Sequence, residues 1–151
     1  MNNKILSLFL IAIIFTLSSC SKEEEPTFEE ILTSQLWVKS NVGVKYGTDD
    51  PDDENVPFEE ETDPCNSKVL LSYSDDGMYK IYANNGCNNS NNYDRWNYIS
   101  EDHFLIHFNS SVPLAFGYNV NSFSRERIEL YTTGKYSGLN YVRTFTFIPF
   151  E

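Results

Sequence analysis

The feature that most constrains the fold of this chain is a series of short segments, rich in aromatic and β-branched residues, that are separated by clusters of Asn, Asp, Ser and Gly. Segments of this kind, bounded by turn residues, are typical of β-strands. A short helix is expected before them, because Thr27 and Glu30 have the spacing of a capping box. The pattern predicts eight strands, at Leu36–Tyr46, Ser67–Tyr73, Met78–Ala83, Asn92–Ile99, His103–Asn109, Val112–Tyr118, Arg127–Thr132 and Tyr141–Phe150.

Eight consecutive strands with mostly short connections must protect the backbone groups at the edges of their sheet. Closure into a barrel removes the edges completely, whereas a two-sheet sandwich protects them less well. We therefore expect an all-β fold: an eight-stranded antiparallel up-and-down barrel with a short N-terminal helix. A β-sandwich is the alternative.

The N-terminus carries an apolar segment, Ile5–Leu17, that follows Lys4. A membrane-spanning helix needs ~20 apolar residues, so this shorter segment is typical of a secretory signal peptide. The junction Leu17-Ser18-Ser19-Cys20 resembles the lipobox of bacterial lipoproteins. That resemblance implies cleavage before Cys20 and attachment of acyl chains such as palmitate to this residue, which would anchor the protein to a membrane.

The segment after this cysteine, Ser21-Lys-Glu-Glu-Glu25, resembles the surface-export signal of lipoproteins from one large group of Gram-negative bacteria. The resemblance implies a lipid-anchored protein of the outer membrane that is exposed on the cell surface. A solvated tether is the alternative interpretation, since like charges repel and extend a chain. We therefore divide the chain into a signal peptide at 1–19, a lipidated acidic tether at 20–26 and one barrel domain at 27–151.

The acidic residues are concentrated near the N-terminal end of the mature chain. Residues 20–66 hold fourteen acidic and three basic side chains, whereas residues 67–151 hold eight and seven. This balance argues against nucleic-acid binding, which favours a basic surface. Residues 47–66 form a long acidic loop with three prolines, for which a functional and a disordered interpretation both stay open. Its carboxylates lack the spacing of a calcium loop, and no other pattern indicates a metal site or a cofactor.

Four motifs together resemble the lipocalin-like domains of bacterial lipoproteins. They are a short helix leading into a strand with Trp37, the turn Asp75-Asp-Gly77, Trp96-Asn-Tyr98 and Thr144-Phe-Thr-Phe147. The resemblance implies a barrel with one closed and one open end that sometimes holds an apolar ligand. It also implies that Arg143 of the last strand packs across the tryptophan of the first.

The interior of an eight-stranded barrel is either filled by side chains or left open for one small ligand. Alternation along the strands predicts that Leu71 and Ile106 face inward. The aromatic residues that it predicts to face inward are candidates for lining a ligand site: Trp37, Tyr73, Tyr82, Trp96, Tyr98, Phe104, Phe145 and Phe147. The same residues would form a solid core if the interior holds no cavity.

The two cysteines that remain after cleavage, Cys65 and Cys87, are predicted to form a disulfide, since export would place them in an oxidising compartment. Gly77 suits the left-handed position of a three-residue hairpin loop, which places Ser74 opposite Met78. Continuing this register brings the two cysteines opposite each other in a non-hydrogen-bonded pair, with Cα atoms ~4.5 Å apart. A disulfide can bridge this separation.

The sequence contains no nucleophile elbow and no nucleotide-binding loop, so we expect no enzymatic activity. His103 and His107 would lie ~13 Å apart along a strand and could not share a metal ion. Two functions remain. The first is capture of a small apolar or amphipathic molecule inside the barrel, which a cavity of ~300 Å³ or more would favour. The second is interaction with a glycan or a protein through the outer face or the loops of a filled barrel. The oligomeric state is left open.

Overall fold

The computed structural model describes residues 25–62, 69–83 and 93–151. Helix α1 spans Phe28–Thr33 and is followed by a series of strands, and a 3₁₀ turn at Ser100–Asp102 joins the fifth strand to the sixth. The strands of the described residues are β1 (Trp37–Tyr46), β2 (Glu59–Glu60), β3 (Val69–Tyr73), β4 (Tyr79–Ala83), β5 (Arg95–Ile99), β6 (Phe104–Phe108), β7 (Ala115–Phe123), β8 (Ile128–Tyr136) and β9 (Leu139–Pro149).

Eight of these strands form one nearly closed antiparallel barrel, in the order β4-β3-β1-β9-β8-β7-β6-β5. Strands β5 to β9 each pair with their neighbour in sequence, and β9 returns to pair with β1. At the remaining junction, between β4 and β5, the described residues form one bridge, from Met78 to Arg95. The prediction of an all-β up-and-down barrel with a short N-terminal helix is confirmed, and the sandwich alternative is not.

Helix α1 fills one end of the barrel, which we call the closed end. The Thr27 hydroxyl accepts a hydrogen bond from the Glu30 amide, and the Glu30 carboxylate accepts one from the Thr27 amide, as the capping box predicts. The helix buries its apolar side in the barrel, with Phe28, Ile31 and Leu32. The opposite end is formed by the end of β1 and the turn between β8 and β9, and we call it the mouth.

Strand β6 turns the opposite residues inward from those predicted. Leu105 and His107 are buried in the barrel, whereas Phe104 and Ile106 alternate with them and face outward, so the prediction that these two point inward is wrong. Phe104 is still half-buried, because a Cβ added at Gly117 of β7 would lie only 2.1 Å from Phe104 Cζ. The Phe104 ring therefore covers Gly117 on the outer face, while Leu105 packs inside the barrel, so β6 carries apolar side chains on both faces.

Strand β4 shows the same error at Tyr82, whose side chain is 48% exposed on the outer face. Tyr79 and Ile81 pack against the core instead. Lys80 is exposed on the same outer face as Tyr82. The charge of Lys80 could have shown which side chains of β4 face outward, because lysine is rarely buried without a partner.

The acidic loop lies along the outside of the barrel over its described part, 47–62. Lys45 on the outer face of β1 donates hydrogen bonds of 2.8 Å to the carbonyl oxygens of Pro51 and Asp53. Val142 pairs with Lys45 in the β1–β9 ladder and shares its outer face, yet its side chain is fully buried. We infer that the loop covers this part of the sheet rather than extending into solvent.

The end of this loop adds the short strand β2, which the sequence pattern did not predict. The strand pairs with Gly43 and Val44 of β1. Phe58 precedes it, and a Cβ added at Gly43 would lie 2.0 Å from Phe58 Cζ. Glycine at this position therefore lets an aromatic ring lie flat on the sheet.

The hairpin between β3 and β4 has the predicted loop. Gly77 adopts a positive φ of 76°, and the Ser74 amide donates a hydrogen bond of 3.1 Å to the Met78 carbonyl. Val69 lies opposite Ala83, in the register that the loop geometry predicted.

Continued outward, this register is the one that would bring Cys65 and Cys87 together. Both cysteines lie outside the described residues, as does Cys20. The disulfide and the lipid attachment therefore stay predictions.

Arg143 does not pack across Trp37, so this expectation from the resemblance is wrong. The β1–β9 register places Arg143 opposite Val44 near the mouth, whereas Trp37 lies opposite Pro149 at the closed end. Trp37 is 1% exposed and donates its indole N–H to the Leu32 carbonyl at 2.9 Å. Helix α1, rather than an arginine, covers the tryptophan.

Candidate functional site

The barrel interior contains a small cavity of about 80 Å³. Ligand pockets usually measure ~300 Å³ or more, so this space suits a few water molecules or a very small ligand. Its lining mixes apolar, aromatic and basic side chains: Lys39, Val69, Leu71, Tyr79, Ile81, His107, Tyr118, Phe145 and Phe147.

His107 is the centre of an aromatic cluster beside this cavity. Its Nε2 atom lies 3.1 Å from the Tyr73 hydroxyl, its ring stacks on Tyr79 with centroids 4.1 Å apart, and Tyr118 meets it edge-on. Burial lowers the pKa of His107 to about 3 and raises the pKa of Tyr118 to about 12. Both groups are therefore neutral near pH 7, and the cluster is held by hydrogen bonding and ring contacts without charge.

Most of the predicted ligand-lining residues fill the barrel. Phe145 and Phe147 line the cavity, and Tyr98 packs on Phe28 of α1 with ring centroids 4.5 Å apart. Six of the eight candidates belong to the core or pack against it: Trp37, Tyr73, Trp96, Tyr98, Phe145 and Phe147. The other two, Tyr82 and Phe104, face outward.

Sequence reasoning missed Lys39, Tyr79, His107 and Tyr118 as cavity residues. Lys39 lies opposite Phe147 in the β1–β9 ladder and so shares its inner face. Alternation from Trp37 was an available signal for Lys39, but a polar side chain on an inner face runs against the ordinary burial preference. The predictions of which side chains of β4 and β6 face inward were both wrong, so Tyr79 and His107 were not recognised as interior residues.

A larger concave site, which we call the mouth groove, lies at the open end of the barrel and has a volume of about 350 Å³. Val44 and Arg143 pair on the face of β1 and β9 that carries Val42 and Phe145 deeper in the barrel. The groove therefore continues the inner face beyond the cavity. It is lined by Val44, Tyr46, Glu61, Lys135, Tyr136, Tyr141 and Arg143.

Three tyrosines form the walls of the mouth groove. The rings of Tyr46 and Tyr136 lie 6.4 Å apart and are tilted by 50°, and Tyr136 is 67% exposed. Tyr141 lies across Gly134 of β8, where an added Cβ would be 2.7 Å from the tyrosine hydroxyl oxygen. Gly134 has no side chain and so leaves room for the ring of Tyr141.

Arg143 lies between the mouth groove and the interior cavity. Its guanidinium is 5.2 Å above the ring of Phe145, which lines the cavity, and it forms an ion pair with Glu61 that is partly exposed on both sides. With Lys135, the mouth groove carries two cations and one carboxylate. This positive balance stands out in a chain of formal net charge −11.

None of the helices formed by the described residues is long and apolar enough to cross a membrane. Across residues 25–62, 69–83 and 93–151, no three His, Cys, Asp or Glu side chains come together as a possible metal site. No protein-family model matches the chain, and no curated protein matches it either.

Proposed function

We propose that this protein is a lipid-anchored, surface-exposed lipoprotein that binds a glycan in the mouth groove and has no enzymatic activity. The observation that carries the proposal is the contrast between the interior cavity and the mouth groove, which lie along the same inner face of the barrel. The interior cavity measures about 80 Å³, whereas the mouth groove measures about 350 Å³ and displays three tyrosines. A nearly filled barrel with aromatic rings at one end favours recognition outside the barrel.

The chemistry of the mouth groove suits a saccharide. A pyranose ring presents C–H groups on its faces, which match flat apolar tyrosine rings, and the tyrosine hydroxyls remain available as polar partners. Arg143, Glu61 and Lys135 can form charge-assisted hydrogen bonds to sugar hydroxyls. Because cations outnumber the carboxylate, we expect a saccharide that carries carboxylate or sulfate groups to bind more tightly than a neutral one.

The proposed anchor supports an outward orientation of the mouth groove. Glu25, the first described residue, lies beside Ile31 of α1, so a lipid on Cys20 would hold the closed end toward the membrane. Strand β1 runs from the closed end to the mouth over ten residues, a length of ~33 Å. The groove would then face away from the bilayer, toward polymers outside the cell.

Equilibrium binding of short acidic oligosaccharides, such as uronic acid oligomers, tests the glycan proposal. We expect Tyr136→Ala and Arg143→Gln to weaken binding by about tenfold or more, as for central residues of a binding site. Tyr82→Ala is the matched control, since Tyr82 is an exposed tyrosine outside the groove. An equal loss in this control, or no binding of acidic or neutral oligosaccharides to the wild type, would contradict the proposal.

The anchor is tested separately. We expect Cys20→Ser to release the protein from the membrane fraction, because the attachment site for the acyl chains is lost. A variant that still sediments with membranes after a high-salt wash would refute the anchor without bearing on the mouth groove.

Capture of a small apolar or amphipathic molecule inside the barrel is the second candidate. The apolar wall of the interior cavity, formed by Val69, Leu71 and Ile81, favours it. Native mass spectrometry of protein purified from its own membrane would detect a retained molecule. Phe145→Trp, which enlarges a lining side chain, should then reduce the retained fraction, and an unchanged fraction would place the molecule elsewhere.

A further inference from the structure

An apolar row crosses the outer face of four adjacent strands. The ladder registers place Tyr82 opposite Leu70, Leu70 opposite Val38, and Val38 opposite Ile148. Phe150 follows two residues after Ile148, at the closed end. We call these five residues the outer apolar row, and its four strands span ~14 Å at the usual strand spacing.

Much of the outer apolar row is open to solvent. Phe150 is 53% exposed and Ile148 is 41% exposed, while Val38 and Leu70 are half-buried. The outer face of an antiparallel sheet is ordinarily polar when it faces water. A contiguous apolar surface therefore indicates a surface that is covered by something.

The N-terminal end of the described chain and the outer apolar row both lie beside the turn that holds Arg125 and Glu126. One surface groove is lined by residues that include Pro26, Ile31 and Arg125. A second groove is lined by residues that include Glu126 and Ile148. Because Arg125 and Glu126 are adjacent in one turn, the tether enters the domain on one side of this turn and the outer apolar row lies on the other.

The length of chain before this point limits how far the row can be from a membrane. Glu25 is the fifth residue after Cys20, and this span is at most ~17 Å when fully extended. The apolar segment Ile5–Leu17 also precedes the domain in the sequence. Any attachment that these residues make to a bilayer holds the closed end close to its surface.

We propose that the outer apolar row docks on the bilayer that holds the anchor, so that the barrel rests on its β4-β3-β1-β9 side at the closed end. This inference rests on the proposed lipid anchor. Tyr82 suits such a position, because tyrosine places an apolar ring and a polar hydroxyl at a membrane interface. Docking would fix the direction of the mouth groove, whereas a tether alone would let the domain rotate.

Tryptophan reporters in the lipidated full-length protein test the docking. The protein is reconstituted into vesicles of phosphatidylcholine with brominated acyl chains, which quench tryptophan emission within the bilayer. We expect Phe150→Trp to lose most of its added emission relative to unbrominated vesicles. Tyr136→Trp at the mouth is the matched control and should keep its emission. The two native tryptophans are buried, so the wild type supplies the baseline.

The outcomes separate the docking from the anchor. If the protein floats with the vesicles but Phe150→Trp and Tyr136→Trp are quenched equally, the docking is wrong and the anchor stands. If the protein does not float, the anchor is wrong and the docking fails with it. A self-associating Cys20→Ser protein whose dimer is abolished by Ile148→Asp would show that a second copy covers the row, which would also overturn the docking.

Discussion

The two junctions that complete the barrel differ greatly in extent over the described residues. Strands β1 and β9 pair along nearly their whole lengths, with Trp37 opposite Pro149 at the closed end. Among the described residues, strands β4 and β5 meet at the bridge Met78–Arg95, which is flanked by hydrogen bonds of 3.0 Å from the Trp96 amide to the Gly77 carbonyl and of 2.9 Å from the Tyr79 amide to the Asp94 carbonyl. Stability is rarely uniform across a fold, and over the described residues the β1–β9 junction is the more extensively paired of the two, so we call it the rigid junction and the β4–β5 junction the weak one.

The weak junction lies beside the interior cavity. Tyr79 and Ile81 of β4 line this cavity, and so does His107 of β6. A local opening between β4 and β5 would therefore reach the cavity before it disturbed the mouth groove. If the two junctions differ in energy as they do in extent, substitutions at each should destabilise the protein by different amounts.

The largest effect is expected at the rigid junction. Trp37→Ala should lower the free energy of unfolding by about 3–5 kcal/mol, because it removes a fully buried indole and leaves a large cavity. Trp96, beside the weak junction, is the natural counterpart, since it is also buried and donates its indole N–H to a carbonyl, that of Ser74. Chemical denaturation should show a smaller loss for Trp96→Ala. Equal losses would contradict the comparison.

The predicted Cys65–Cys87 disulfide would clamp the base of the β3–β4 hairpin, whose second strand forms one side of the weak junction. Reduction should lower the free energy of unfolding by about 3 kcal/mol in the chain-entropy model. Thermal unfolding with and without reductant measures this, and Cys65→Ser/Cys87→Ser is the control that should not respond. Two free thiols in the denatured, non-reduced mature protein would rule out the bond.

A smaller effect is expected from the titration of His107. Its pKa in the folded state is about 3, against ~6.5 in an unfolded chain. The unfolded state therefore binds the proton first, and stability falls as the pH drops below ~6.5, by about 2 kcal/mol between pH 7 and pH 5. His107→Gln should remove this loss. Carboxylates with a lowered pKa, such as Asp76, matter only at lower pH.

Denaturation of wild type and His107→Gln at both pH values measures the difference. An identical pH dependence of the two proteins would mean that His107 does not stay buried and neutral in the folded state.

The smallest effect concerns the turn that carries the weak junction. Gly77→Ala should cost about 1 kcal/mol, because an L side chain is strained at a φ of +76°. Gly47→Ala, at a φ of +94° and away from this junction, is the matched control. Hydrogen exchange should speed up at the Tyr79 and Trp96 amides in Gly77→Ala alone. Faster exchange at these amides in both variants would mean that the effect of Gly77→Ala is not confined to the weak junction.

Features that depend on a few neighbouring residues could be predicted from the sequence. The capping box at Thr27 and Glu30 is set by a spacing of three residues, and the left-handed Gly77 fixes the hairpin register that follows it. The eight strands of the barrel also followed from local patterns, whereas the short strand β2 did not. These signals act over one turn, so distant parts of the chain cannot easily override them.

Features that depend on distant partners could not be predicted in the same way. Phe104 packs on the outer face of the sheet because Gly117 on another strand leaves room for its ring. The place of Arg143 is set by the register of β9 against β1, which joins opposite ends of the domain. The mouth groove likewise combines Tyr46 and Glu61 with Tyr136, and no local pattern connects these positions.

The pairing of β1 with β9 also has a consequence for the order in which the chain can fold. Strands β5 to β9 can pair with their sequence neighbours as each one emerges from a ribosome or a translocation pore. Strand β1 emerges before them, yet the partner along most of its length is the last strand of the chain. Such long-range pairing slows folding. Until β9 arrives, β1 presents an open edge with Trp37 and Val42 unprotected, so the first strand of the barrel stays vulnerable to aggregation for the longest time.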